Sequence, residues 1–122
     1  MNEKQLRKYL LSKPEAYEDY PFGPETTVYK VKNKMFALTY QDKKHLHINL
    51  KCDPMEAVQL RDVFDSVLPG YHMNKTHWNT VILDSSVPGF EMERMIDNSY
   101  RLVVKKLKAN ERRGLELRNE MP

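Results

Sequence analysis

The 122-residue chain is poor in the residues that build stapled or metal-clustered folds: it has one cysteine, Cys52, and only four glycines. A lone cysteine excludes an internal disulfide framework and a cysteine-rich zinc site. No glycine-rich phosphate cradle, nucleophile elbow or HExxH motif occurs, so no enzyme class is supported. No apolar run approaches the roughly 18 residues of a membrane span. The charged opening Met1-Asn2-Glu3-Lys4-Gln5-Leu6-Arg7-Lys8 lacks the apolar stretch that follows the basic start of a signal peptide. A cytoplasmic protein with no membrane partner is the expectation. What is present suits a packed core: 40% of residues are apolar and 30% charged, which excludes a disordered tract. The length predicts one domain, placed at residues 1–108, followed by a polar C-terminal tail at 109–122.

Charge is unevenly spread. The net charge is +3, but residues 26–51 carry +5, residues 53–65 carry −3 and residues 101–113 carry +5. Two basic segments around an acidic one suit a face that meets a polyanion, although solvated lysines on exposed strands give the same count.

Hydrophobic periodicity predicts the order α-βββ-α-ββ-α. Asn2 and Gln5 form a capping box ahead of Leu6, Tyr9 and Leu10, which share one helix face. Pro14 interrupts, and Tyr20-Pro21-Phe22-Gly23-Pro24 is a rigid loop. Strands are expected at residues 27–31, with Thr27, Tyr29 and Val31 on one face, and at 35–40. In the third strand Leu46, Ile48 and Leu50 point inward and His45, His47 and Asn49 outward. Lys32-Asn33-Lys34 and Gln41-Asp42-Lys43-Lys44 turn the chain between them. Asp53, Pro54 and Glu56 start a helix in which Ala57, Leu60, Phe64 and Val67 fall at helical spacing. Pro69-Gly70 ends it. A second hairpin is expected through Tyr71-His72-Met73, a turn at Asn74-Lys75-Thr76, and Thr80-Val81-Ile82-Leu83. Pro88 opens the last helix, whose stripe runs through Met92, Met95, Ile96, Ser99, Tyr100, Val103, Val104 and Leu107. From Ala109 onward no stripe continues, so the chain is expected to fray. An antiparallel sheet with helices packed on one side makes this an α+β sandwich.

The densest group of chemistry-bearing residues is 70–79, with two histidines, two asparagines, a lysine, a tyrosine and the only tryptophan. Such residues on a loop suit phosphate, sugar or base recognition, with Lys75 neutralising phosphate and Trp78 or Tyr71 stacking or packing beneath. His45 and His47 share a strand face, a spacing compatible with a metal, but no third ligand is evident. Cys52 beside Lys51 is either a lowered-pKa thiolate or a small buried residue.

These residues also carry a resemblance. Asp19-Tyr20-Pro21-Phe22-Gly23-Pro24, Lys34-Met35-Phe36-Ala37-Leu38, Asn49-Leu50-Lys51-Cys52-Asp53-Pro54, Pro69-Gly70-Tyr71-His72-Met73-Asn74-Lys75-Thr76-His77-Trp78-Asn79 and Asp97-Asn98-Ser99-Tyr100 resemble the signature blocks of the MmcQ/YjbR family, in the family's order, over residues 1–108. The resemblance implies a CyaY-like (frataxin-like) α+β fold with a double-wing arrangement, and a DNA-binding label. It assigns no catalytic residues. Frataxin-type iron binding uses an acidic first helix, whereas residues 1–13 here carry +3, so the fold is expected without that metal function.

The resulting expectation is a non-catalytic DNA-binding protein, a monomer or weak dimer, with no cofactor and no metal. Its wings are residues 30–35 and 71–79. Lys30, Lys32, Lys34, Lys43, Lys44 and Lys75 contact phosphate, and His72, Asn74, His77 and Asn79 join them at the 71–79 wing, with base readout falling to Asn74, His77 and Asn79. The competing expectation is a protein- or small-ligand-binding module built from residues 70–79. An unrecognised enzyme using His72 or His77 as a base is the weakest alternative.

Overall fold

The computed structural model describes residues 1–71 and 73–120, with side chains through Leu117 in the last helix. The described residues form a six-stranded antiparallel sheet and four helices. In chain order these are α1 (Glu3–Leu11), β1 (Tyr17–Asp19), β2 (Thr26–Val31), β3 (Lys34–Asp42), β4 (His45–Lys51), α2 (Pro54–Val63), β5 (Val67–Pro69), β6 (Trp78–Ile82), α3 (Gly89–Lys105) and α4 (Ala109–Glu120). Across the sheet the strands run β1-β2-β3-β4-β6-β5.

Local chemistry sets the element ends. The Asn2 side chain accepts from the Gln5 amide at 2.8 Å while the Gln5 side chain accepts from the Asn2 amide at 2.9 Å, the reciprocal capping box. Asp53 Oδ1 accepts from the Met55 and Glu56 amides ahead of Pro54. Glu56 does not complete that box; it binds Arg94 instead, at 2.5 Å. The β2–β3 turn holds both Lys32 (φ 48°) and Asn33 (φ 66°) in the left-handed region, the geometry of a tight hairpin.

The helices cover one face of the sheet. Leu6 and Leu10 of α1, Ala57 and Leu60 of α2, and Met92, Met95, Ile96 and Tyr100 of α3 pack with Tyr29, Val31, Ala37, Ile48, Leu50 and Val81 into one core. At the β2–β3 pair the register passes from Tyr29↔Ala37 to Lys30↔Met35, leaving Phe36 as an extra residue. That bulge turns Phe36 into the same core as its neighbour Ala37, where its ring meets Tyr100 edge-on at 5.3 Å. Beside it the β3–β4 ladder stops at Ala37↔Leu50. Ser99, fully buried on α3, continues it: its hydroxyl donates to the Phe36 carbonyl at 2.5 Å and accepts from the Lys51 amide at 2.8 Å.

Four expectations change. Residues 17–19 add an edge strand, β1, paired with β2. Val67 lies in β5 rather than on a continued helix, because α2 ends at Val63. The second hairpin is β5 and β6, so residues 70–77 form their connection instead of a strand and a short turn. The segment expected to fray from Ala109 is helical, and its Leu115 is fully buried in the core.

Candidate functional site

Alternation along the strands divides their side chains between the helix-covered face and the opposite, open face. Cross-strand partners share a face, so Val28 and Leu38 lie together on the open side, as do Tyr40 with His47 and Asn49 with Thr80. Two loops rise over this face. Residues 20–25 connect β1 to β2, where Gly23 takes φ +104° and its amide donates to the Tyr20 carbonyl at 3.2 Å. Residues 70–77 connect β5 to β6. Between them lies a cleft of about 500 Å³ lined by Phe22, Leu38, Tyr40, Asn49, Tyr71 and Met73, with Glu25, Thr26 and Gln41 beside them. A shallower hollow continues past Tyr40 and Tyr71 to His47 and Leu68.

A closed set of hydrogen bonds holds the loop over the cleft. The Thr80 hydroxyl donates to Asn49 Oδ1 at 2.6 Å and accepts from the Tyr71 amide at 2.9 Å; Asn49 Nδ2 donates to the Tyr71 carbonyl at 3.2 Å. Asn49 is thus buried and satisfied, not solvated as the alternation alone suggested. Gly70 makes the loop's approach possible. Its amide donates to the Trp78 carbonyl at 2.8 Å, and a Cβ there would stand 2.7 Å from Trp78 Cβ. Phe22 and Tyr71 remain 70% and 58% exposed at the cleft mouth. Tyr40 packs at a tilt on His47, centroids 5.3 Å apart, and burial pushes its phenol pKa up.

The residues expected to meet DNA are dispersed. Lys30 pairs with Asp19 at 2.6 Å and Lys32 with Glu15 at 2.9 Å. The Asp19 hydrogen bond raises the Lys30 pKa, and the Lys30 hydrogen bond in turn lowers that of Asp19. Lys34, Lys43, Lys44 and Lys75 are exposed. Lys34 stands at the start of β3 and Lys43 and Lys44 beyond its end, about 30 Å apart along nine extended residues. Asn74 accepts the Thr76 amide in an Asx turn at 2.9 Å. His77 is half-buried, its carbonyl accepting from the Cys52 amide at 2.8 Å. Asn79 is buried on the helix side, where its Nδ2 donates to the Ala57 carbonyl at 3.2 Å, so its side chain is not presented to solvent. His72 lies outside the described residues. Cys52 is the small buried residue of the two readings: burial pushes its thiol up to about 11.

Sequence reasoning passed over Phe22, Leu38, Tyr40, Asn49 and Met73, and reached Tyr71 only through the dense 70–79 block. One signal was available. An asparagine in the middle of an otherwise apolar strand, on the side away from Ile48 and Leu50, needs a polar partner there.

With this geometry established, comparison with other proteins defines the class. The YjbR family model matches residues 11–102. The chain belongs to the YjbR family. It is 32% identical to the uncharacterized protein YjbR of Escherichia coli K12 over 115 residues, covering 94% of this chain and 98% of that one. It is 38% identical to the uncharacterized protein YbdF of Escherichia coli O157:H7 over 85 residues, 70% of each chain. The crystal structure of Deinococcus radiodurans protein DR2400, which carries the domain called DUF419, superposes with a TM-score of 0.86 at 39% identity, covering 93% of this chain and 86% of that one. A Pseudomonas syringae protein superposes with a TM-score of 0.75 at 30% identity, covering 84% and 99%. These structures share the α+β architecture expected from the sequence.

Proposed function

We propose that the chain is a binding module for a small, largely apolar organic ligand, held on the open face of the sheet between residues 20–25 and 70–73. The observation that carries this reading is the cleft itself: about 500 Å³, walled by Phe22, Leu38, Tyr40, Tyr71 and Met73 on the face that no helix covers. That volume falls in the range of small-molecule sites. Asn49 and Thr80 spend their hydrogen bonds on the loop, so the wall offers the ligand aromatic and aliphatic surface, with Glu25, Thr26 and Gln41 as the polar edge. A preformed loop loses little conformational freedom on binding, which favours affinity.

The test uses the fluorescent dye 8-anilinonaphthalene-1-sulfonate at low and high salt. Saturable binding that persists at high salt and is lost in Phe22→Ala and Tyr71→Ala supports the reading. Binding unchanged in both variants would place the dye elsewhere, on the exposed Met55, Val63 and Phe90 of the helix side for instance, and would end it.

DNA is the second reading, favoured by one observation. Lys34, Lys43, Lys44 and Lys75 are exposed, and no carboxylate among the described residues pairs with them. A duplex touching both groups would lie along the strand direction, held by phosphate contacts without sequence readout. Anisotropy of a mixed-sequence duplex at several salt concentrations tests it. The logarithm of affinity should fall with a slope near −0.9 per phosphate contacted, and Lys75→Ala should weaken binding a few-fold. No binding at low salt makes these lysines solubilising charge.

A further inference from the structure

On the far side of the molecule from the cleft, α1, α3 and α4 enclose a second groove of about 890 Å³. Its charged lining is Lys13, Arg101, Lys105 and Arg112 against Asp97 and Glu116. The pairing within it is uneven. Asp97 is fully engaged, ion-paired to Lys13 and accepting from the Tyr9 hydroxyl at 2.7 Å. Glu116 meets Arg112 only loosely, at 3.7 Å, while Arg112 Nη1 donates to the Lys105 carbonyl at 3.3 Å. Arg101 bonds the neutral Asn98 side chain, and no carboxylate among the described residues pairs with Lys105. The groove therefore holds two cations in excess, four residues apart on one face of α3.

Like charges at that spacing weaken a helix slightly, a cost that an anion between them removes. A guanidinium pair beside an ammonium matches the oxygens of a phosphate, the arginines by paired N–H donors and the lysine as a point charge. Val104 and Tyr100 line the same groove and give it an apolar and aromatic wall. We infer that this groove binds the phosphate of a phosphorylated ligand, with Arg101, Lys105 and Arg112 as its donors. The basic segment at residues 101–113 thereby acquires a role that neither hairpin explains, and the site is independent of the sheet cleft.

The experiment is a titration of the full chain with inorganic pyrophosphate, followed by amide chemical shifts, with sodium chloride at matched ionic strength as reference. Saturable shifts confined to residues 97–116 are expected. The double variant Arg101→Ala, Lys105→Ala should bind about tenfold more weakly or worse, with Lys75→Ala unchanged. Arg101 and Lys105 are exposed, so the double variant keeps its fold, which an unchanged melting temperature verifies. Shifts that do not saturate, that survive in the double variant, or that fall at residues 32–34 and 43–44 instead would overturn the assignment. A short duplex that competes with pyrophosphate for these shifts supports the site with a nucleic-acid backbone as its phosphate source. A duplex that does not compete supports it with a free phosphorylated compound.

Discussion

Asn49 and Thr80 face each other across β4 and β6, both buried, and between them they satisfy the backbone of Tyr71 in both directions. Removing either would strand a buried partner, which costs more than the bond itself contributes. The block Asp97-Asn98-Ser99-Tyr100 works in the same way on the other face. Asp97 receives Tyr9 and Lys13, Asn98 donates to Glu56, Ser99 splices β3 to β4, and the Tyr100 hydroxyl donates to the Pro14 carbonyl at 2.8 Å. Gly70 has a different task, since it contributes no bond beyond its amide and is needed for the space it leaves empty. An alanine there would press its Cβ against both Trp78 Cβ and the Trp78 carbonyl oxygen, 2.7 and 2.8 Å away. Neither atom is the flexible end of a side chain, so the loop must move. Gly70→Ala should lower stability by about 1–3 kcal/mol in urea denaturation. It should also weaken dye binding in the cleft by displacing Tyr71. An unchanged urea midpoint would show that the loop has room the geometry denies it.

Among the elements, those with a strong period and a cap were legible and those held by tertiary contacts were not. Asn2 with Gln5, Asp53 with Pro54, and Pro88 marked three helix starts directly. The inward residues Ile48 and Leu50 and the stripe from Met92 to Val104 stood out by spacing alone. β1 and β5 escaped because three residues are too few to show a period, and they become strands only by pairing with β2 and β6. The cleft escaped because its walls come from three separate stretches that alternation places on one face only after the register is known. α4 escaped for a further reason: its apolar contribution is chiefly Leu115, a single point where a stripe was sought. That point is fully buried in the common core, so Leu115→Ala should cost about 2–5 kcal/mol, the range for emptying a buried leucine site. Truncation before Ala109 should lower the melting temperature at least as much. A truncated chain as stable as the full one would mean that the Leu115 site closes by itself.

At the scale of the whole molecule, ion pairs fasten the periphery to the sheet. Arg7 of α1 reaches Glu18 of β1 at 2.6 Å, Lys30 holds Asp19, Lys32 holds Glu15, and Arg94 of α3 joins Glu56 of α2. The edge strand β1 thus depends on charges from both sides of it. Their carboxylates respond accordingly. Burial pushes the Glu18 pKa up, but hydrogen bonds from Arg7 and Tyr20 prevail and hold it below the ordinary value. The Lys30 hydrogen bond lowers Asp19. Asp84, after β6, receives the Ser66 and Ser86 hydroxyls at 2.6 Å and the Ser86 amide at 3.0 Å, which bring it down to about 2. A group whose pKa is lower folded than unfolded adds stability that is present above the unfolded value, about 3.9 for aspartate, and is lost as pH falls through the folded one. The melting temperature should therefore hold steady from pH 7 to about pH 5 and then decline toward pH 2. These side chains are largely exposed, so the effect of each is modest and shrinks with added salt. Asp84→Asn isolates one of them. The variant should melt below the natural chain at pH 7, and the gap should close as the pH approaches 2, where the natural carboxylate also loses its charge. A gap that stays constant from pH 7 to pH 2 would mean that Asp84 holds its loop through shape and neutral hydrogen bonds, with its charge contributing nothing.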